Sequence, residues 1–279
     1  MALRPLRQLE PSAAMLRATE RWLGDLESAL ADPTTDRNAL VRETLFALAQ
    51  PGEGSWEERV NDPRLPPAAT VALLALDPAN VTLEPEYYAD VDPERFARAK
   101  PLLWLWYSFD RLPLAGQHVA LGVAFRRLLA PHLFARVGRN FKCFQHVEFS
   151  YGYNLEIGDD VVVHRHVLLD DRGGIVLGDR VSISDYANIY SHTHSIVDQR
   201  DVTTLPTVLE DDVRITYHAT VLAGVRVGRN GMVGASAVAT KDVRPFHVNV
   251  GIPAKSVRVK PNAPPESAST IRRPDASRG

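Results

Sequence analysis

Two spacings of apolar residues divide the chain near Val137. Before it the spacing is helical: Leu16, Leu23, Leu26 and Leu30 recur within residues 12–31, and Leu40, Val41, Leu45 and Leu48 within residues 36–50. Asp36 stands where a helix N-cap is expected, and Pro33, Pro51, Pro63, Pro66 and Pro67 punctuate the segments. Residues 102–107 form a dense apolar run, Leu-Leu-Trp-Leu-Trp-Tyr. Such a run anchors the helical part on a neighbouring unit. The other reading is a membrane-surface patch, helped by Arg111, Arg126 and Arg127.

After Val137 the step changes to six. Leu209, Ile215, Val221, Val227 and Val233 stand at intervals of six, each followed four residues later by Val213, Ala219, Val225, Gly231 or Ala237. Upstream, Ile157, Val163, Leu169 and Ile175 keep the step, as do Leu177, Ile183 and Ile189. A period of six fits neither an α-helix nor a two-faced strand. It fits a parallel β-solenoid in which three hexads make one triangular coil. The step from Ile189 to Leu209 is twenty, so residues 195–208 are expected as an extruded loop. Long loops on regular scaffolds are often functional. The fold class is therefore mainly β: a helical region over residues 1–136, a solenoid over 137–260, and a disordered tail over 261–279, rich in Pro and Ser.

Composition adds exclusions. At 279 residues the chain has room for about two domains at roughly 150 residues each. Lys plus Arg number 32 against 34 Asp plus Glu, which gives no electrostatic footprint for nucleic acid. The single cysteine, Cys143, excludes a disulfide framework and a Cys-rich zinc site, and suits a reducing cytoplasm. The first 22 residues lack an apolar core of signal-peptide length, and charges interrupt every candidate span, so no membrane crossing is expected, though peripheral contact stays open.

The hexads, the loop after Ile-Tyr-Ser-His-Thr-His-Ser (residues 189–195), and the segments at 233–243 (VGASAVATKDV) and 250–258 (VGIPAKSVR) resemble the hexapeptide-repeat acyltransferases. Within that family the likeness is to galactoside and maltose O-acetyltransferases and to sugar O-acetyltransferases of polysaccharide synthesis. It covers residues 137–260 and leaves the helical half unmatched. The resemblance implies a left-handed β-helix, a homotrimer whose neighbouring subunit walls each site, and acetyl-CoA as co-substrate rather than a bound cofactor. It also implies a saccharide or similar hydroxyl acceptor.

His194 matches the family's general base, and an imidazole beside a flexible cover suits that work at neutral pH. His192 is expected to support the loop and to reach the acceptor side. Asp170 and Asp171, in Leu-Leu-Asp-Asp-Arg-Gly-Gly, either build the turn or meet acceptor hydroxyls. His164 stands where the galactoside enzyme has an acceptor-lining asparagine, a departure that bears on the acceptor. Thr240 and Lys241 match a threonine–lysine pair of the coenzyme site, and Ala235 matches a small residue beside the pantetheine arm. Lys255 and Arg258 match phosphate-facing basic positions. Tyr217 follows Thr216 where relatives have smaller residues along that arm. Two rivals stay open: a γ-carbonic-anhydrase-like metal enzyme using His164, His166, His192, His194 or His218 across subunits, and a non-catalytic scaffold. A sugar-nucleotide transferase is disfavoured, because residues 1–136 carry no Gly-rich phosphate loop.

Overall fold

The structure is a computed structural model that describes residues 10–52, 54–112 and 116–265. Most of the expected tail, residues 266–279, lies outside the described residues. The first half folds into helices α1 (Ala13–Ala31), α2 (Arg37–Ala49), α3 (Trp56–Val60), α4 (Pro67–Leu74), α5 (Pro93–Arg111) and α6 (Val119–Leu133). The second starts at the expected cap, where Asp36 accepts from the Asn38 and Ala39 amides, and the first is capped by Ser12, whose Oγ accepts from the Met15 amide.

From Arg136 the chain winds into a triangular prism whose three faces are stacks of parallel strands. Face A stacks Arg136–Val137, Leu155–Ile157, Ile175–Leu177, Thr207–Leu209 and Arg226–Val227. Face B runs from Lys142–Cys143 through Val162–Val163, Ser182–Ile183, Arg214–Ile215 and Met232–Val233 to His247–Val250, and Lys255–Val259 pairs antiparallel at its end. Face C stacks Glu148–Phe149, Leu168–Asp170, Asn188–Tyr190, Thr220–Val221 and Val238–Ala239. The hexad aliphatics form the interior: Leu209, Ile215, Val221, Val227 and Val233 are fully buried, as are Ile157, Val163, Ile175, Leu177, Ile183 and Ile189. Each such side chain contributes about 1.5–3 kcal/mol on burial, so the aliphatic stack outweighs the few ladder bonds of strands this short.

The corners are unequal. The A–B and B–C corners turn in place through single residues with positive φ, such as Asp160, Arg180 and Asp212 on one and His166, Tyr186 and His218 on the other. The C–A corner takes more chain, and the hairpin of residues 192–204 leaves from it.

The dense run at residues 102–107 anchors the helical region on the first coils. Leu102, Leu105 and Trp106 are fully buried, the Trp106 indole donates to the Val147 carbonyl at 3.0 Å, and the Tyr107 hydroxyl donates to the Phe149 carbonyl at 2.6 Å. Arg126 is buried as well, against Asp110, so this segment is core rather than a membrane-surface patch. Among the described residues no helix is long and apolar enough to cross a membrane.

Candidate active site

Residues 192–204 leave the C–A corner as an antiparallel hairpin, pairing His192 with Thr204, Thr193 with Thr203 and His194 with Val202. The extrusion therefore starts at His192, before the expected loop, and Thr207 is already back in face A. The two histidines lie on the hairpin arm rather than in a hexad. Ser191 fixes the hairpin's base. Its hydroxyl, fully buried, donates to the Asp170 carbonyl at 2.5 Å and accepts from the Gly173 amide at 2.8 Å. A Cβ on Gly173 would come within 2.2 Å of the Ser191 carbonyl oxygen, so the close approach of the two backbones requires glycine.

His194 is exposed, and its Nδ1 lies 2.6 Å from the Gln199 carbonyl across the hairpin tip. A carbonyl only accepts, so Nδ1 carries the proton and Nε2 of the neutral ring is left as the basic atom. His192 is half-buried, and its Nδ1 makes a short contact with one carboxylate oxygen of buried Asp170. The other Asp170 oxygen accepts from Ser150 Oγ at 2.8 Å. The two imidazoles meet edge to face, 5.2 Å between centroids.

Two cavities meet at this point. The outer one, about 800 Å³, is lined by His194, His192, Arg200 and Asp201 from the hairpin, by Arg172, and by residues 84 and 87–90 of the helical region. The inner one, about 380 Å³, lies between face C and the same segment, with Ser150, Asp170, Tyr190 and His192 on one side and Glu84, Tyr88 and Tyr107 on the other. Arg172 ties the segment down. Its guanidinium bonds both oxygens of Asp90, at 2.6 and 3.1 Å, and lies 4.2 Å above the Tyr88 ring.

Of the expected acceptor residues, the structure gathers Asp170 and His192 but not Asp171 or His164. Asp171 is fully buried and its two oxygens accept the amides of Tyr151, at 2.7 Å, and Asn154, at 3.1 Å. It builds the turn and has no surface to offer a ligand. Burial pushes its carboxyl up to about 6, against the backbone donors that lower it. His164 stacks on Phe144 at 5.1 Å along face B and lines neither cavity. His166 and His218 sit in a ring ladder on the B–C corner, separated by Tyr186. Among the described residues no three His, Cys, Asp or Glu side chains converge as a metal site would require.

The coenzyme-matching residues are all exposed but lie in three places, two corners and the end strand of face B. Tyr217 and Ala235 stack on the B–C corner, where the Ser236 amide bonds the Tyr217 carbonyl at 2.9 Å. Thr240 and Lys241 follow face C at the C–A corner, and Lys255 and Arg258 lie on the antiparallel end strand of face B. None of the six lines the cavities beside His194.

Comparison with known proteins places this geometry. The chain is 29% identical over 170 residues to the galactoside O-acetyltransferase of Escherichia coli strain K12, covering 60% of this chain and 79% of that protein. It is 30% identical over 147 residues to a putative acetyltransferase of Staphylococcus aureus strain MRSA252, covering 51% and 74%. The chain belongs to the hexapeptide-repeat acetyltransferases. A solved hexapeptide-repeat acetyltransferase from Vibrio cholerae O1 biovar eltor, complexed with acetyl-CoA, superposes with a TM-score of 0.53 at 26% identity, over 62% of this chain and 90% of that one. No protein-family model matches the chain. As in its relatives, the prism is the left-handed parallel β-helix of the hexapeptide-repeat acetyltransferases, here an acetyltransferase preceded by a helical region.

Sequence reasoning missed the residues that complete the cleft. Ser150 stands in a Phe-Ser-Tyr-Gly run one coil before Asp170, a spacing of twenty that could have flagged it. Glu84, Tyr88 and Tyr107 carry no such signal, because only the packing of the helical region brings them to face C.

Proposed function

We propose that this acetyltransferase moves an acetyl group from acetyl-CoA to a hydroxyl of a saccharide or similar acceptor, with His194 as general base. Nε2 of His194 takes the hydroxyl proton as the oxygen attacks the thioester carbonyl. The C–S bond then breaks, and the departing coenzyme A thiolate takes that proton back from the imidazolium, leaving ester and free thiol. The observation that carries the reading is the His194–Gln199 hydrogen bond, which fixes a basic Nε2 in a ring that lines the larger cavity. Asp170, with Ser150 and His192, lies in the adjoining cavity and supplies hydroxyl-recognising groups.

In this reading the donor lies along Tyr217, Ala235, Thr240 and Lys241, with Lys255 and Arg258 toward its phosphates. Those residues divide between two prism corners and the end strand of face B, so one chain does not assemble the whole site. A homotrimer, in which the B–C corner of one copy meets the hairpin of the next, completes it. Dependence on acetyl-CoA suits the cytoplasm. The test is a screen of sugar and polyol acceptors with acetyl-CoA, reading free thiol. Acceptor-dependent thiol release and ester formation support the proposal, and release without an acylated product for every acceptor refutes it.

A further inference from the structure

A separate cavity lies in the helical region, behind the segment that walls the cleft. About 430 Å³ in volume, it sits between α2, the turn at Pro78–Asn80, the turn at Glu84–Tyr87 and α5. One segment therefore faces two cavities. Glu84, Tyr88 and Asp90 line the chamber that holds His194, while Glu86 and Val91 line this one. None of the residues placed in the acetyl transfer lines it.

Its surfaces are of two kinds. Pro78, Phe96 and Pro101 give it an apolar floor. Three polar side chains stand around that floor: Asn38 near the start of α2, Glu86, and Lys100 on α5. Lys100 Nζ donates to Glu86 Oε1 at 2.8 Å, and Glu86 Oε2 accepts the Leu83 amide at 2.6 Å. An ammonium carries three N–H donors, so two remain on Lys100 for a ligand. Among the described residues the Asn38 side-chain amide makes no hydrogen bond; only its backbone N–H is engaged, by Asp36. Pro101 adds an acceptor. It has no N–H, so the Ala97 carbonyl, one turn earlier and also on the cavity wall, lacks its α-helical donor.

These groups select the ligand's charge. A lone carboxylate would meet Lys100 but also face Glu86, and a lone amine would meet the reverse. A hydrocarbon would strip water from both charges without replacing their hydrogen bonds. A zwitterion satisfies both ends: its carboxylate accepts from Lys100 and Asn38, and its ammonium donates to Glu86 and the Ala97 carbonyl. An apolar side chain then covers Phe96 and the two prolines. The volume is that of a small-ligand site.

We propose that this cavity is a second ligand site, that it takes an α-amino acid with a branched or aromatic apolar side chain, and that the bound ligand stiffens the wall shared with the cleft. Glu86 is the link. It belongs to the same turn as Glu84, which accepts the Tyr88 hydroxyl at 2.7 Å on the cleft side. An ammonium held between Glu86 and the Ala97 carbonyl ties that turn to α5 by a further bridge. The inference depends neither on the acceptor nor on His194.

The test is calorimetry on the full chain with L-leucine and L-phenylalanine, beside 3-methylbutylamine and 4-methylpentanoate, which each keep one charge of leucine. At least one amino acid is expected to bind with a Kd below about 1 mM, and both single-charge analogues at least about tenfold more weakly than leucine. Ala97→Trp, at an exposed α5 position, fills the cavity, and Lys100→Met removes the carboxylate's partner; each is expected to weaken binding at least about tenfold. Thermal melting shows whether the variants fold, and Lys100→Met decides if Ala97→Trp does not. Hydrogen exchange at the amides of residues 86–91 should slow by about threefold or more when the amino acid is added to the wild-type chain. No binding of either amino acid at about 10 mM overturns the site, as does undiminished binding to folded Ala97→Trp or Lys100→Met. Equal binding of a single-charge analogue overturns the zwitterion, and unchanged exchange at residues 86–91 overturns the link to the cleft.

Discussion

The contact between Asp110 on α5 and Arg126 on α6 offers a quantitative test of how the helical region is held on the solenoid. Both side chains are almost wholly buried. One Asp110 oxygen takes Arg126 Nη2 and the other accepts the His146 amide at 2.6 Å, while Arg126 Nη1 donates to the Cys143 carbonyl at 3.3 Å. The pair thus joins two helices to the first coil. Removing either member strands a buried charge, so Arg126→Met and Asp110→Leu should each cost about 3–5 kcal/mol. The double variant strands no charge and loses mainly the bonds to His146 and Cys143, at about 1–3 kcal/mol together. The coupling energy should therefore be at least about 3 kcal/mol, read by urea unfolding followed through tryptophan fluorescence. Single variants that cost less than about 1 kcal/mol, or losses that add to within about 0.5 kcal/mol, would refute the buried-pair reasoning.

Three further outcomes follow from particular contacts. Trp106→Ala empties a fully buried site and leaves the Val147 carbonyl unpaired, so it should cost about 3–5 kcal/mol, and Trp106→Phe clearly less, by the same unfolding assay. Asp171 keeps its proton up to about 6 when folded and to 3.8 as a free side chain, so the folded state holds the extra proton between these values. Stability should accordingly fall as pH rises from about 4 to 6, by about 3 kcal/mol in all, and Asp171→Asn should flatten that slope in pH-dependent unfolding. Lys241→Ala with Lys255→Ala should raise the KM for acetyl-CoA about tenfold, a loss that shrinks at high salt, and leave the KM for the acceptor nearly unchanged.

The solenoid was legible because its period is enforced by a repeated interior: every sixth aliphatic enters the prism, and any slip would expose the row. The first two helices were legible from their leucine spacing, and the second also from its Asp36 cap, since spacing and capping are local chemistry. Helix α5 was harder to read, because a residue run buried on nearly all sides loses its amphipathic stripe. At the site, the family resemblance singled out His194, and the break in period set it beside a loop. Neither could show that His192 lies against Asp170, or that Asp171 faces the backbone, because adjacent strand residues alternate sides and the corner decides which one meets the cleft. Tyr88 and Arg172 stand 84 residues apart in the chain, and their stacking depends on packing between two differently built regions.

The central claim is that one imidazole, oriented by the Gln199 carbonyl, performs the proton transfer. Its most direct test is steady-state kinetics of His194→Ala with acetyl-CoA and an accepted hydroxyl substrate, together with acetyl-CoA binding measured by calorimetry. The account predicts a fall in kcat of roughly 10²–10⁴, with the Kd for acetyl-CoA unchanged within about twofold, and a far smaller loss for His192→Ala. Turnover of His194→Ala at the wild-type rate would contradict it.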